Sequence, residues 1–235
     1  MRIVCDIEAD SLTPTKVWLI VTKDIDNGEI RIFRRPDIDP VVKRELYEHF
    51  AKATLVVGHY WIAFDYWLVV RKFFPGLIRD VRIICDTVVA SRLFRYDVLG
   101  GHSLAAWANR FGKTKPPIED FGQGLTPAME NRCVQDVELN FELYKFLEKH
   151  INSEVYKKAL EIEHRMAFVC VDMEETGFHF NVEEAKRLQQ EIDNELRVLD
   201  NLIQESFLPK SVLIREVTPK RTKSGALSRS SFGFL

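Results

Sequence analysis

Two carboxylates near the start of the chain have the types and the spacing of a metal-binding pair. Asp6 and Glu8 lie in Val4-Cys5-Asp6-Ile7-Glu8, a mostly apolar stretch that is typical of a buried β-strand. Side chains alternate along a strand, so both carboxylates face the same side, roughly 6.5 Å apart. Neighbouring carboxylates in an apolar strand repel each other unless a cation holds them, and oxygen ligands suit Mg²⁺ or Mn²⁺. The alternative is a pair at a strand end that faces water.

Two later acidic residues strengthen the metal hypothesis. Asp65 follows a predicted buried strand and falls in the first turn of a helix, where the helix dipole alone would also favour a negative charge. Asp136 lies among apolar residues in Cys133-Val134-Gln135-Asp136-Val137, with a surface position on an amphipathic helix as the alternative. Each carboxylate alone has a structural explanation, whereas metal binding would explain all four together.

Apolar periodicity and turn residues predict the elements that position these carboxylates. Three strands come first, at 1–7, 16–23 and 29–34, with an Asp26-Asn27-Gly28 turn before the third. They are followed by a helix over 40–52, a strand over 55–58, a helix over 62–74, a strand over 81–85 and helices over 87–94, 104–111, 126–149, 154–174 and 182–207. This order predicts an α/β fold with a sheet of mixed direction. Asp86, Ser103 and Asn181 are the predicted N-terminal caps of the helices that begin at 87, 104 and 182.

Composition excludes several classes of protein. The chain of 235 residues is 46% hydrophobic and 29% charged, which is ordinary for a globular protein with a full core. No apolar run approaches the ~18 residues of a membrane span and no leader is evident, so we expect a cytoplasmic protein without a membrane partner. The four cysteines are far apart in apolar surroundings, which predicts buried free thiols rather than disulfides or zinc ligands. They are Cys5, Cys85, Cys133 and Cys170.

The charge of the chain is unevenly distributed. The formal net charge is −2, yet residues 207–235 carry six basic side chains and a single acid, Glu216. An acidic body with a basic tail fits a carboxylate-lined site and a segment that meets polyanions. A merely solvated tail explains the same charges equally well.

The four carboxylates occur in an order and a context that resemble the DEDD-type 3′→5′ exonucleases. The segments IVCDIEAD, VVGHYWIAFDY, ICDTVVASRL, HSLAAWANRFG and CVQDVELN are similar to the proofreading domain of family A DNA polymerases of the phage T7 type. This resemblance covers roughly residues 1–150, and residues 160–206, with MEETGFHFN, resemble the start of the polymerase module. It implies an RNase H-like α/β fold, a mixed sheet flanked by helices, followed by an α-helical thumb-type segment.

The resemblance also implies the cofactors and the roles of the carboxylates. Two divalent cations, Mg²⁺ or Mn²⁺, would bind, one through Asp6, Glu8 and Asp136. The other would bind through Asp6 and, by way of water, Asp65. The first would activate the attacking water, and the second, about 3.5–4 Å away, would stabilise the departing 3′ oxygen. The candidate substrate-binding residues are His59, Tyr60, Phe64 and Arg132, with a structural role as the alternative for His59 and a core role for Phe64.

Two positions depart from this family. Arg132 stands four residues before Asp136, where polymerase-type members have a tyrosine that orients the attacking water. Residues i and i+4 are neighbours on a helix, so the guanidinium is expected to pair with Asp136 and to compete with a cation. Tyr60 stands where this type usually has an asparagine. We therefore expect weakened hydrolysis, and we hypothesise that the phenol of Tyr60 or Tyr66 replaces the missing one.

The sequence thus predicts three segments and one activity. Residues 1–150 form the exonuclease domain, residues 151–209 the helical start of the polymerase module, and residues 210–235 a basic, flexible tail of a chain expected to be a fragment. The predicted function is metal-dependent removal of nucleotides from a single-stranded DNA 3′ end, as proofreading for palm and fingers modules in cis, in a bacterial or phage-infected cell. Polymerase activity is not expected from these residues. The alternatives are a degenerate domain that holds single-stranded DNA or braces the polymerase, and a related RNA 3′ exonuclease.

Overall fold

The computed structural model describes residues 1–114 and 124–207 together with Arg221 and Lys223. The predicted basic tail over 210–235 therefore lies outside the described residues except at those two positions. The chain divides into two compact units, Met1–Gly177 and Phe178–Leu235, and the domain bounds at residues 150 and 209 remain predictions. Among the described residues, every helix is too short or too polar to cross a membrane.

A five-stranded mixed sheet forms the centre of the first unit. Its strands are β1 (Arg2–Ala9), β2 (Val17–Asp24), β3 (Ile30–Arg34), β4 (Leu55–Gly58) and β5 (Ile84–Asp86), in the order β3-β2-β1-β4-β5. The pairs β1–β2 and β2–β3 are antiparallel, while β1–β4 and β4–β5 are parallel. The predicted mixed sheet is confirmed, and β1 is its central strand.

A short polar turn explains the reversal between β2 and β3. Gly28 has a φ of 79°, in the left-handed region that suits glycine. The side chains of Asp24 and Asn27 accept hydrogen bonds from the backbone N–H groups of Asp26 and Glu29. Asp and Asn commonly stabilise turns in this way, so the turn predicted from these residues is present.

Helices flank the sheet in the first unit, and a further helix lies in the second unit. They are α1 (Pro40–Phe50), a π-helix (Ile62–Val70) that continues into α2 (Arg71–Phe73), α3 (Thr87–Phe94), α4 (Leu104–Arg110), α5 (Pro127–Ile151), α6 (Glu154–Thr176) and, in the second unit, α7 (Val182–Ser206). Each predicted helix lies within two residues of these bounds, because the capping residues and prolines at their ends are local signals.

Two segments differ locally from the predicted elements. The helix expected over 62–74 is π-helical as far as Val70, a rare form that is often found at functional sites. The strand expected over 81–85 is a 3₁₀ turn (Val81–Ile83) followed by β5. Apolar periodicity does not separate these variants from regular helices and strands, because they bury the same side chains.

The two faces of β1 belong to two separate clusters of buried apolar side chains. One cluster joins β1 to α1 and the π-helix and contains, from β1, Ile3, Cys5 and Ile7. The other cluster packs Val4 with Cys133 and Val137 of α5. Asp6 and Glu8 follow Val4 with a period of two residues, so they lie on the same face of the strand. The sequence of β1 therefore directs both carboxylates towards α5.

Cys170 is a correction to the prediction that all four cysteines are buried. Cys5, Cys85 and Cys133 are buried free thiols, as predicted, whereas Cys170 is exposed on α6. Its neighbours Val169 and Met173 are also largely exposed. The apolar residues of this part of α6 therefore do not enclose the thiol within the first unit.

In the second unit, α7 is an amphipathic helix with a polar capping residue at its N-terminus. The side chain of Asn181 accepts a hydrogen bond from the N–H of Glu184, which confirms the predicted cap. Apolar residues recur along α7 at intervals of three and four and are each about half exposed: Leu188, Ile192, Leu196, Leu199 and Ile203. Such spacing forms one apolar stripe along the helix.

Candidate metal centre

The carboxylates of Asp6 and Glu8 lie together near the carboxyl end of β1. In the antiparallel ladder with β2, Asp6 is opposite Val21 and Glu8 is opposite Leu19, and the register shifts immediately after Glu8. Glu8 is 7% exposed, and Asp6 is partly exposed. Two acids at short range in a poorly hydrated position favour either protonation or the binding of a cation.

The thiol of Cys133 completes a cluster of three potential ligands. One ligand atom from each of Asp6, Glu8 and Cys133 lies within 4.8 Å of the other two. The Sγ–H group donates a hydrogen bond to Oδ2 of Asp6, with 3.3 Å between Sγ and Oδ2. Burial, and then the charges of Asp6 and Glu8, raise the pKa of Cys133 well above its usual value. Cys133 is not among the site residues predicted from the sequence, although it precedes Asp136 by three residues and so shares its side of a helix.

Asp65, on the π-helix, is a buried carboxylate close to this cluster. It is 4% exposed, and its Oδ1 atom has no hydrogen-bond partner within the part of the chain that the structure describes. Burial, and then the charge of Asp6, raise the pKa of Asp65 well above its usual value. A buried acceptor without a partner costs about 1–3 kcal/mol, and a bound cation would remove that cost.

These donors fit a divalent cation. Asp6 and Glu8 supply hard oxygen ligands of the kind that Mg²⁺ and Mn²⁺ prefer. The Oδ1 atom of Asp65, which has no partner among the described residues, is a buried acceptor that a cation at Asp6 and Glu8 would satisfy. The sequence prediction of a cation at Asp6 and Glu8 is therefore compatible with the geometry.

Asp136 lies outside the cluster of three ligand atoms and beside Arg132. Nε of Arg132 is 3.9 Å from Oδ2 of Asp136, and the two side chains are 14% and 8% exposed. The pairing expected from their i, i+4 spacing is present. The assignment of Asp136 as a ligand alongside Asp6 and Glu8 stays a prediction, and it requires the Asp136 carboxylate to exchange the guanidinium for a cation.

Asp86, at the end of β5, holds the loop that leads to Asp65. Its two carboxylate oxygens accept hydrogen bonds from the N–H groups of Tyr60 and Ile62, each at 3.0 Å, and Oδ1 also accepts from the N–H of Val88 at 2.9 Å. Burial raises the pKa of Asp86, and these donors oppose the rise. Tyr60 has a φ of 59°, a strained conformation that persists only where its surroundings hold it. The predicted cap of α3 is present, and the clamp on the loop is an additional role.

His59, a candidate for contact with the substrate, lies in a polar network beside the sheet. Its Nδ1 atom is 2.9 Å from the hydroxyl oxygen of Thr87. That hydroxyl is also 2.7 Å from Oδ1 of Asn140 on α5. The network joins the loop after β4 to α3 and α5, so His59 has a structural role here whether or not it also meets a substrate.

The aromatic candidates have different surroundings. Tyr60 is 52% exposed and lines a cavity of about 530 Å³ between the π-helix, α3 and α6. Phe64 is partly buried against the core cluster that contains the π-helix. Tyr66 packs edge-on against Phe168, with 5.5 Å between the ring centroids. Tyr60 is therefore more open to a substrate than Tyr66, and replacement of the missing phenol by either residue stays a hypothesis.

Comparison with known proteins identifies the fold. No protein-family model and no curated protein sequence matches this chain. Solved structures do match, and the similarity is one of backbone fold.

Three of these structures illustrate the match. A structure described as the apo form of the nuclease is 16% identical, with a TM-score of 0.58, over 77% of this chain and 88% of that chain. Brucella melitensis NrnC bound to pGG is 16% identical, with a TM-score of 0.57, over 77% and 88% of the two chains. NrnC from the same organism with bound Mg²⁺ is 17% identical, with a TM-score of 0.56, over 77% and 89%. The chain has an RNase H-like α/β fold, a mixed five-stranded sheet flanked by helices and followed by further helices, as predicted.

Proposed function

We propose that this chain is a nuclease that depends on divalent cations and removes nucleotides from the 3′ end of single-stranded DNA. The observation that carries the proposal is the convergence of Asp6 and Glu8 near the buried carboxylate of Asp65, whose Oδ1 atom lacks a partner within the described residues. The similarity of the fold to structures described as nucleases, one of them with bound Mg²⁺, supports the same chemistry.

The proposal gives each residue of the site a role that is compatible with its position. Divalent cations, when bound, supply positive charge to the scissile phosphate and acidify water. Asp6 and Glu8 would hold the cation from β1, and Asp65 would add negative charge from the π-helix, so that a cation is preferred over a proton. Arg132 can leave Asp136 for a phosphate oxygen, because guanidinium groups pair strongly with phosphates. Asp136 then becomes available to the cation.

The direction of cleavage and the biological setting of the reaction are more specific parts of the proposal. The 3′→5′ direction, the proofreading role, the pair of cations and the link to palm and fingers modules rest on the sequence resemblance to family A polymerases. The three matching structures are of a nuclease and of NrnC, and none of the three is of a polymerase. NrnC was solved bound to pGG, so short oligonucleotides and RNA ends belong among the substrates to be compared.

A second candidate is a domain that holds single-stranded DNA without cutting it. The ion pair between Arg132 and Asp136 favours this candidate, because it neutralises a predicted cation ligand. The absence of a tyrosine at position 132 favours it too, since loss of a water-positioning group typically costs about 10²–10⁴-fold in rate.

Digestion of 5′-labelled single-stranded DNA in Mg²⁺ and in Mn²⁺ separates these candidates. The nuclease proposal expects a ladder of shortened products that disappears in the Asp6→Asn/Glu8→Gln variant, which keeps the side-chain sizes and removes both charges. Asp97→Asn is the matched control, because Asp97 is an exposed acid whose partner is Arg95. Its ladder should equal that of the parent.

Two results would overturn the nuclease proposal. One is the absence of products from the parent in both metals while single-stranded DNA is still bound, which would support the holding domain. The other is a ladder that persists unchanged in Asp6→Asn/Glu8→Gln, which would place any cleavage at another site or in a contaminant. Preference among matched DNA and RNA ends then identifies the substrate.

A further inference from the structure

A sulfur atom lies in the cluster of potential ligands, although hydrolysis by oxygen-bound cations does not require one. Cys133 is fully buried, and its Sγ is 3.3 Å from Oδ2 of Asp6 and 3.7 Å from the backbone carbonyl oxygen of the same residue. Together with Glu8, the three ligand atoms lie within 4.8 Å of one another. The thiol therefore points at the carboxylate pair rather than only into the apolar core.

These separations suit coordination around one ion. Metal–oxygen bonds of about 2.0–2.2 Å and metal–sulfur bonds of about 2.3 Å place neighbouring ligand atoms of a tetrahedral site roughly 3–4 Å apart. The 3.3 Å between Sγ and Oδ2 is already in that range. Cys133 and Asp6 would bind a common ion with little movement of α5 relative to β1.

A second observation points to an ion at the same place. The Oδ1 atom of Asp65 is buried and has no hydrogen-bond partner over the described part of the chain, and the charges of Asp6 and Glu8 both reach it. A divalent cation held by Asp6 and Glu8 would give this buried acceptor of Asp65 a partner.

We propose that Cys133 is a metal ligand and that Asp6, Glu8 and Cys133 bind a thiophilic divalent cation, such as Zn²⁺, Cd²⁺ or Co²⁺, more tightly than Mg²⁺. Thiolate ligands select such ions, whereas Mg²⁺ is held by oxygen. On binding, the thiol proton passes to solvent. This inference extends the proposed function, since the thiophilic ion would occupy the place of the catalytic cation, but its test does not depend on DNA cleavage.

A hydrogen bond alone is the competing explanation of the contact. In that case the thiol would orient the Asp6 carboxylate without binding the ion, and a hydroxyl group would serve as well as a thiol. Serine at position 133 distinguishes the two explanations, because it keeps an O–H donor and removes the thiophilic ligand.

Absorption spectroscopy with Co²⁺ tests the ligand directly. The full chain would be used in a Cys170→Ser background, because Cys170 is exposed and would bind the probe itself. We expect a sulfur-to-cobalt charge-transfer band in the near ultraviolet that is absent from Cys133→Ser. Cys85→Ser is the matched control, since Cys85 is a buried thiol of the same core cluster, and it should keep the band.

Calorimetry with Cd²⁺ and Mg²⁺ measures how much Cys133 contributes to the affinity for each ion. Loss of a ligand should weaken Cd²⁺ binding in Cys133→Ser by at least the ~10–100-fold that follows loss of an outer-shell partner, with Mg²⁺ binding within a factor of about two of the parent. If Cys133→Ser does not fold, Asp6→Asn in the same background provides the test. It must also lose the charge-transfer band if thiol and carboxylate bind one ion.

The outcomes separate this inference from the proposed nuclease. Absence of the band in the parent, its persistence in Cys133→Ser, or equal Cd²⁺ affinity of parent and Cys133→Ser overturns the metal-ligand role of Cys133. Mg²⁺-dependent cleavage would be unaffected by those results. A band without any DNA cleavage would sustain the ligand role and reject the nuclease.

Discussion

The guanidinium of Arg132 and the carboxylate of Asp136 lie one helical turn apart on α5, with 3.9 Å between Nε and Oδ2. Both side chains are largely shielded from solvent, so the attraction is screened less than that of a surface pair. Arg132, which precedes Cys133 in the chain, thus brings a positive charge close to the Asp6–Glu8–Cys133 cluster. The same guanidinium pairs with Asp136, the carboxylate that the sequence resemblance assigns to the first cation.

Replacing Arg132 with tyrosine is expected to increase Mg²⁺-dependent release of nucleotides. The change frees Asp136 and adds a phenol that can orient water, and positioned groups of this kind contribute about 10²–10⁴-fold in rate. The initial rate on 5′-labelled single-stranded DNA measures the effect. Arg132→Gln, which frees Asp136 without adding a phenol, should show a smaller gain. A rate at or below that of the parent in both variants would show that the contact of Arg132 with phosphate outweighs its competition for Asp136.

The pH dependence of stability should report the buried carboxylate of Asp65 in metal-free protein. Its folded-state pKa is raised above the ordinary value of 3.8 by burial and by Asp6, so the folded state binds more protons than the unfolded state. The stability contributed by Asp65 is therefore present below about pH 4 and is lost as pH rises through the raised pKa. Asp65→Asn should be more stable than the parent in a chelator at neutral pH, and its unfolding midpoint should vary less with pH.

Added cation should reverse the difference in stability between the parent and Asp65→Asn. A ligand that binds only the folded state at one hundred times its Kd stabilises it by about 2.7 kcal/mol. Mn²⁺ should therefore raise the thermal unfolding midpoint of the parent more than that of Asp65→Asn. Equal shifts in the two proteins would show that Asp65 does not contribute to the cation site.

Asp86→Ala should destabilise the first unit and distort the loop that carries Tyr60. Three backbone N–H groups, those of Tyr60, Ile62 and Val88, lose their acceptor. The bonds of Ile62 and Val88 are buried, and each unsatisfied buried donor costs about 1–3 kcal/mol. Urea unfolding followed by circular dichroism should show a loss of at least about 2 kcal/mol. Asp86→Asn keeps one acceptor oxygen and should lose less. Equal losses in the two variants would argue against the clamp.

Gly58→Ala should be destabilising because of Trp61. A Cβ atom at position 58 would lie 2.0 Å from Cδ1 of the buried Trp61 ring, far inside the contact distance. Overpacking of this kind typically costs about 1–3 kcal/mol. Cγ and Cβ of Trp61 would lie at 2.1 and 2.4 Å, so only Trp61→Gly removes the contact. In a double-mutant cycle with Trp61→Gly, we expect a coupling of about 0.5–3 kcal/mol that relieves the clash. Additive effects would mean that the backbone at Gly58 moves aside.

Much of the fold could be predicted because its signals are local. The alternation of β1 placed Asp6 and Glu8 on one face, and Asp86, Ser103 and Asn181 cap α3, α4 and α7 as their types and positions indicated. Capping and alternation depend on residues a few positions apart, so they can be recognised without knowledge of the tertiary structure.

The composition of the candidate site depended on tertiary distances that no local signal contains. The sequence singled out the four carboxylates and the pairing of Arg132 with Asp136, but only the packing of α5 on β1 placed the thiol of Cys133 beside Asp6. Only the meeting of β5 with the loop after β4 gave Asp86 its three donors and Tyr60 its left-handed backbone. Residue types and their periodicity determined which side chains face the site. The crossing of elements far apart in sequence decided which of them meet, because hydrogen bonding and coordination change over tenths of an ångström.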